Sequence, residues 1–117
     1  MKVLIVDDDA KSRKVLRDLL AMKEIEVVEA ATGREAVRLA SPEFHFFICD
    51  IKLPDIDGYE VARQVKAKCP QLPIIAHTAS ALKEERNKLV ETKLFEGVLL
   101  KPIQMGDYNG IIERWMK

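Results

Sequence analysis

The chain has 117 residues, 48% of them apolar and 32% charged, which suits one globular domain and excludes a second catalytic or nucleic-acid-binding domain on length alone. Lysine plus arginine total 19 and aspartate plus glutamate total 19, so a formal net charge of zero removes any whole-chain electrostatic case for nucleic acid or membrane-surface binding. Uncharged apolar runs such as Phe46–Cys49 fall far short of the roughly 20 residues that span a bilayer, and Met1-Lys2 leads straight into strand-like Val3–Val6; neither membrane insertion nor a signal peptide is expected. Cys49 and Cys69 have no CxxC or His-rich companion, which argues against a disulfide framework or a zinc site and makes the reducing cytoplasm the expected compartment.

Short apolar runs alternate with segments of helical period along the chain. Val3–Val6 is followed by a helical segment from Ala10 to Met22, with Val15, Leu16, Leu19 and Leu20 on one face. Val27-Val28 is followed by Gly33 to Ala40, Phe46–Cys49 by Gly58 to Lys68, Ile74–Ala76 by Leu82 to Phe95, and Val98–Leu100 by Met105 to Met116. Thr32 with Glu35, and Asp57 with Glu60, each place a capping side chain three residues before an acid able to reach back. Gly106 and Asn109-Gly110 stand in the first turns of the last segment. At about 1 kcal/mol per glycine against alanine, its regular part is expected to begin only near Ile111.

Five βα alternations imply an α/β fold, a doubly wound parallel sheet with helices on both faces, because right-handed crossovers return each strand in the same direction. Strand two reads Glu26-Val27-Val28-Glu29, half charged where the first and third are continuously apolar. This suits a sheet edge and favours the order 2-1-3-4-5. Ligands of such sheets bind beyond the strands' carboxyl ends, at the switch point between strands one and three.

At those ends stand Asp7-Asp8-Asp9, Asp50, Thr78 and Lys101-Pro102. Neighbouring strands lie about 4.8 Å apart, so Asp7 or Asp8 should approach Asp50 within roughly 5 Å, where like charges repel by about 3 kcal/mol per pair. Three carboxylates so placed need a cation, and hard oxygen ligands with open water positions point to Mg²⁺. Lys101 adds a second positive charge and Thr78 a neutral hydrogen-bond donor. Asp9, directly before the first helix, reads as its cap, and Asp55 and Asp57 as turn and cap residues. His45 and His77 read as packing or surface residues, alternation turning His77 away from the site, while Cys49 reads as an inert core thiol. The run Lys83–Lys88 reads as the solvated face of a helix.

The stretches Leu4-Ile5-Val6-Asp7-Asp8, Ile48-Cys49-Asp50-Ile51-Lys52-Leu53-Pro54-Asp55-Ile56-Asp57-Gly58, Ile74-Ile75-Ala76-His77-Thr78-Ala79 and Leu99-Leu100-Lys101-Pro102 together resemble the receiver domain of two-component response regulators, over essentially the whole chain. The resemblance implies a single flavodoxin-like receiver domain spanning residues 1–117. It also implies that Asp50 accepts a phosphoryl group from the phosphohistidine of a sensor histidine kinase or histidine phosphotransfer protein. Asp7, Asp8, Asp50 and the backbone carbonyl of Lys52 would hold Mg²⁺, while Thr78, Ala79 and Lys101 would meet the phosphoryl group, across a Lys101-Pro102 bond of the kind typically cis in the family. Such a domain is a signalling phosphoacceptor rather than a turnover enzyme, with output through helix 4, strand 5 and helix 5.

One departure stands out: Val98 occupies the position, three residues before the lysine, where the family usually carries an aromatic. The segments Ile75–Leu82 and Lys101-Pro102-Ile103 lean toward receivers attached to hybrid histidine kinases, and stand-alone regulator or domain of a longer protein both remain open. In the family the residues two after the acceptor and two after the threonine flank the path of the attacking water; here these are Lys52 and Ser80, poorly suited to orient it, so the resemblance implies a long-lived phosphorylated state. Two other readings compete. A haloacid-dehalogenase-type phosphatase fits Asp7-Asp8-Asp9 but fails at Lys11 and lacks late acids, and a degenerate receiver would serve only as a phosphorylation-independent binding module.

Overall fold

A computed structural model of the chain describes residues 1–79, 82–101 and 105–115, with positions 105, 107, 108, 111 and 115 described as backbone. Strands and helices alternate as β1 (Lys2–Val6), α1 (Ala10–Ala21), β2 (Glu26–Ala30), α2 (Gly33–Leu39), β3 (Phe46–Asp50), α3 (Gly58–Lys68), β4 (Ile74–Thr78), α4 (Lys83–Glu91), β5 (Gly97–Leu100) and α5 (Met105–Trp115). The strands form one parallel sheet in the order β2-β1-β3-β4-β5. β3 and β4 are buried at every position, because both edges are paired and both faces covered, and their sequences are accordingly apolar almost throughout. β2 carries its glutamates at the edge, where Glu26 is exposed and Glu29 half-buried.

Side-chain alternation divides the core in two. Leu4, Val6, Phe47, Cys49 and Ile74 point toward Ala36 of α2 and Val61, Ala62 and Val65 of α3. Val3, Ile5, Phe46, Ile48, Ile75 and Leu99 pack beneath Leu16 and Leu20 of α1, with Ile112 of α5 against them. Each large side chain fully buried here contributes about 1.5–3 kcal/mol, far more than the capping interactions that set where the helices begin.

Those caps are nonetheless well formed. Asp9 accepts the Lys11 N–H; Thr32 accepts the Glu35 N–H, and Glu35 reaches back to the N–H of Ala31. Asp57 accepts the Glu60 N–H, but Glu60 bonds forward to Arg63 and Gln64 instead of reaching back. Asp55 does more than make a turn: its two carboxylate oxygens accept the N–H groups of Gly33 and Arg34 at 2.9 Å each, capping α2 from the loop after β3. Against the desolvation that raises it, the N–H groups of Arg34, Gly33 and Ile56 bring its carboxyl down to about 2.

Two helix boundaries differ from expectation by more than two residues. α4 ends at Glu91, not Phe95, because Lys93 turns into the left-handed region with φ 58° and the Thr92 hydroxyl bonds the Leu89 carbonyl, releasing Leu94 and Phe95 to pack on the core. α5 is helical from Met105 rather than from Ile111. Gly106 and Gly110 are exposed with open space where a Cβ would stand, so docking of the helix beside β5 overrides their low propensity. Met116, expected in that helix, lies outside the described residues.

Candidate functional site

The carboxyl ends of β1, β3, β4 and β5 deliver the expected side chains to one cleft, lined by Asp8, Asp9, Asp50, Lys52, Thr78, Ala79 and Lys101. Asp7 lies just behind this lining, fully buried. Its Oδ1 accepts the Asp9 N–H at 2.9 Å, and its own N–H bonds Ala30 O, carrying the β1–β2 pairing past the strand end. Asp50 closes β3, 4% exposed, and its Oδ1 accepts the Lys52 N–H at 3.3 Å. Gly58 packs so closely under this turn that a Cβ would stand 2.5 Å from the Asp50 carbonyl; its N–H bonds Ile51 O at 2.7 Å, which ties the start of α3 to the Asp50 segment.

Lys101 reaches the acids from the far edge of the sheet. Its N–H donates to Thr78 O at 2.8 Å, and its ammonium stands 3.0 Å from Asp7 Oδ2 and 3.2 Å from Asp50 Oδ2. Asp8 is exposed on the cleft. Its carboxylate and those of Asp7 and Asp50 each offer an oxygen within 4.8 Å of the other two, in line with the spacing expected from adjacent strand ends.

The electrostatics follow from this crowding. Burial pushes the Asp50 carboxyl up; the Lys101 charge pulls it down and the Asp7 charge pushes it up again, with a net rise. Burial lowers the Lys101 ammonium, but its bonds and charge pairing with Asp7 and Asp50 outweigh this and raise it. Four carboxylates, of Asp7, Asp8, Asp9 and Asp50, against the two ammonium groups of Lys52 and Lys101 leave the cleft short of positive charge, and an all-oxygen donor set fits a hard divalent cation such as Mg²⁺.

Other residues fall as follows. Asp9 caps α1 as expected and also lines the cleft, a second role the sequence pattern did not suggest. His45 is exposed, its Nδ1 accepting the Lys2 N–H. Cys49 is buried with its thiol pushed far up by desolvation and by the charges of Asp50 and Asp57, so it is inert. His77 is buried, as a packing residue would be, but the expectation that alternation turns it from the site is corrected: it pairs with Asp50 across the β3–β4 ladder, and paired residues of a parallel sheet share a face. Val98 is half-buried opposite Ala76. Phe95 meets Tyr59 edge-on at 5.9 Å, with the Lys88 ammonium 4.9 Å from the Tyr59 ring centre. Lys83–Lys88 is exposed throughout. Ser80 and Pro102, singled out in the sequence, lie outside the described residues.

Four strand ends converging on three acids, a hydroxyl and a lysine invite comparison with known proteins. The response regulator receiver domain family matches residues 3–113. This chain belongs to that family. As a receiver, it is 29% identical to the sensor histidine kinase RcsC of Escherichia coli (strain K12) over 90% of its own length and 11% of that protein. It covers only 7% of hybrid signal transduction histidine kinase L of Dictyostelium discoideum, so it spans about a tenth or less of these two kinases. Among solved structures it resembles the receiver domain of the sensor histidine kinase PA1611 of Pseudomonas aeruginosa PAO1, which holds a magnesium ion in its active-site cleft, with 30% identity, TM-score 0.87 and coverage of 98% of this chain and 96% of that one. It also resembles the Ssk1 receiver of Saccharomyces cerevisiae, crystallised with the histidine phosphotransfer protein Ypd1, with 26% identity, TM-score 0.85 and coverage of 98% and 88%. The receiver has no helix, among the described residues, long and apolar enough to cross a membrane.

Proposed function

We propose that residues 1–117 act as a single phosphoacceptor module of a two-component or phosphorelay pathway, in which Asp50 takes a phosphoryl group from a partner phosphohistidine. The observation that carries this reading is the position of Asp50, whose carboxylate lines the cleft 3.2 Å from the Lys101 ammonium and clusters with the carboxylates of Asp7 and Asp8. An Asp50 oxygen forms the new P–O bond while the P–N bond to the donor imidazole breaks and the imidazole keeps the electron pair. Lys101, already 3.2 Å from Asp50 Oδ2, receives the negative charge of the transferred group, and Thr78 meets a second phosphoryl oxygen. Ala79, with no side chain beyond its Cβ, leaves the donor ring room to approach.

Asp7, Asp8, Asp50 and the Lys52 carbonyl would hold Mg²⁺, which supplies positive charge to the phosphoryl oxygens. The product adds close to two negative charges at the end of β3, drawing Thr78 and Lys101 toward it and with them the surface of α4, β5 and α5. Val98 lacks the aromatic ring that in the family usually follows such a movement. The partner is a sensor histidine kinase or a histidine phosphotransfer protein, and the module works in the cytoplasm as a stoichiometric acceptor rather than a turnover enzyme. The convergence of all five side chains disfavours a phosphorylation-independent binding module. Intact-mass measurement after exposure to acetyl phosphate and Mg²⁺ tests the reading: one phosphoryl adduct on Asp50 supports it, and unchanged mass overturns it.

A further inference from the structure

The steps proposed above leave one buried polar side chain near the cleft unused. His77 is 3% exposed, and among the described residues neither of its ring nitrogens has a hydrogen-bond partner. A buried polar group in that condition is destabilising, a cost that an apolar side chain of similar size would not incur. Desolvation, with the charge of Lys101 adding to it and that of Asp7 opposing it, holds the imidazole at about 4, so the ring is neutral at physiological pH and one of its nitrogens is a hydrogen-bond acceptor.

The sheet places that acceptor on the route of Lys101. Val3 and Ile5, Phe46 and Ile48, Ile75, and Leu99 all face α1 and α5, and alternation sends Asp7, Asp50, His77 and Lys101 to that same face. β4 stands between β5 and β3. To bring its ammonium within 3.0 Å of Asp7 and 3.2 Å of Asp50, the Lys101 side chain must pass over the carboxyl end of β4, where His77 is the last strand residue on that face, paired with Asp50 on one side and Leu99 on the other.

Phosphorylation changes what Lys101 can bond. Asp50, once phosphorylated to an acyl phosphate, is no longer a carboxylate anion, so the ammonium loses one of its two charged partners and turns toward the phosphoryl oxygens. An ammonium has three N–H donors in fixed tetrahedral array, and inside a cleft each one released from a carboxylate needs another acceptor.

We infer that His77 is a positioning residue for Lys101, its neutral ring nitrogen taking up the ammonium N–H released from Asp50 and so holding Lys101 against the phosphoryl group. The inference rests on the phosphoacceptor reading above. A ring that merely fills the core would be replaceable by any apolar side chain of its size; a positioning acceptor would not.

The test follows phosphoryl uptake from acetyl phosphate in the whole chain by intact mass, at varied acetyl phosphate. His77→Leu is expected to lower the maximal uptake rate about five-fold or more, the equivalent of roughly 1 kcal/mol for one hydrogen bond. The acetyl phosphate concentration at half-maximal rate should stay near that of wild type and the unfolding temperature equal to it or higher. His77→Gln, which keeps a neutral acceptor, should restore most of the rate, and in a Lys101→Ala background His77→Leu should have no further effect. A wild-type rate in His77→Leu, no rescue by His77→Gln, or an undiminished effect without Lys101 would overturn the inference. If His77→Leu does not fold, the unbranched His77→Met carries the same readings. Failure of wild type to take up phosphoryl at all overturns the phosphoacceptor reading and the inference with it; uptake by wild type with unaltered His77→Leu kinetics overturns the inference alone.

Discussion

Lys101 and Asp7 come from opposite sides of the sheet's centre, the end of β5 and the end of β1, yet their side chains meet at 3.0 Å with Asp7 wholly buried. β3 and β4 lie between them. The pair therefore spans the strand that carries Asp50, and its ammonium is shared with that residue at 3.2 Å.

That sharing bears on the acceptor. Asp50→Asn removes one of two carboxylates bonded to Lys101 but leaves Asp7 in place and relieves repulsion between neighbouring acids. The variant should show no phosphoryl adduct by intact mass while its unfolding temperature stays at or above that of wild type. Labelling at wild-type stoichiometry would refute the assignment of Asp50.

The other two acids should behave unequally. Asp7→Asn and Asp8→Asn are each expected to weaken Mg²⁺ binding in calorimetric titration about ten-fold or more, since each withdraws a charged ligand worth roughly 1.5–3 kcal/mol. Asp8 is exposed and unpaired with Lys101, so Asp8→Asn should leave the metal-free protein as stable as wild type or more so. Asp7→Asn breaks a buried ion pair and should destabilise it by about 1 kcal/mol or more. Unchanged Mg²⁺ affinity in both variants would sink the ligand assignment.

Lys52 bears on the lifetime of the phosphorylated state. It is exposed on the cleft, its backbone N–H on Asp50, and its side chain offers no carboxylate or amide to orient an attacking water. Slow self-dephosphorylation is expected, as suits a relay intermediate, with a several-fold faster loss in Lys52→Ala, which removes a long stem able to shield the acyl phosphate, and in Ser80→Glu, which adds a carboxylate. Rapid hydrolysis by purified wild-type phosphoprotein, or no change in either variant, would count against it.

Asp55 supplies a pH prediction. Its folded carboxyl lies at about 2 against an ordinary 3.8, so the folded state favours the ionised form. Stability from this cap is then fully present above the ordinary value and is lost as pH falls through about 2. Asp55→Ala should cost about 1 kcal/mol near neutral pH, the usual worth of a helix cap, and progressively less as pH falls from about 4 through 2, as read by denaturant unfolding across that range. A difference independent of pH would show that the carboxylate charge is not what caps α2.

Much of this was legible in the amino-acid order because it is set locally. Short continuous apolar runs alternating with segments of period 3.6, the glutamates of β2 and the acids, threonine and lysine at the strand ends point to the sheet order and bring the site residues to one end, since each depends on where a residue stands along its own element. What only the tertiary structure decided involves partners distant in sequence. Asp55 caps a helix that begins 22 residues earlier, and α5 is helical through Gly106 and Gly110 because docking beside β5 outweighs propensity. His77 shares a face with Asp50 through the β3–β4 register, and Lys101 crosses β4 to neutralise buried Asp7. A strand's own sequence states which residues alternate; which neighbour each one meets, and how much water is left between them, depends on register and packing that no single segment contains.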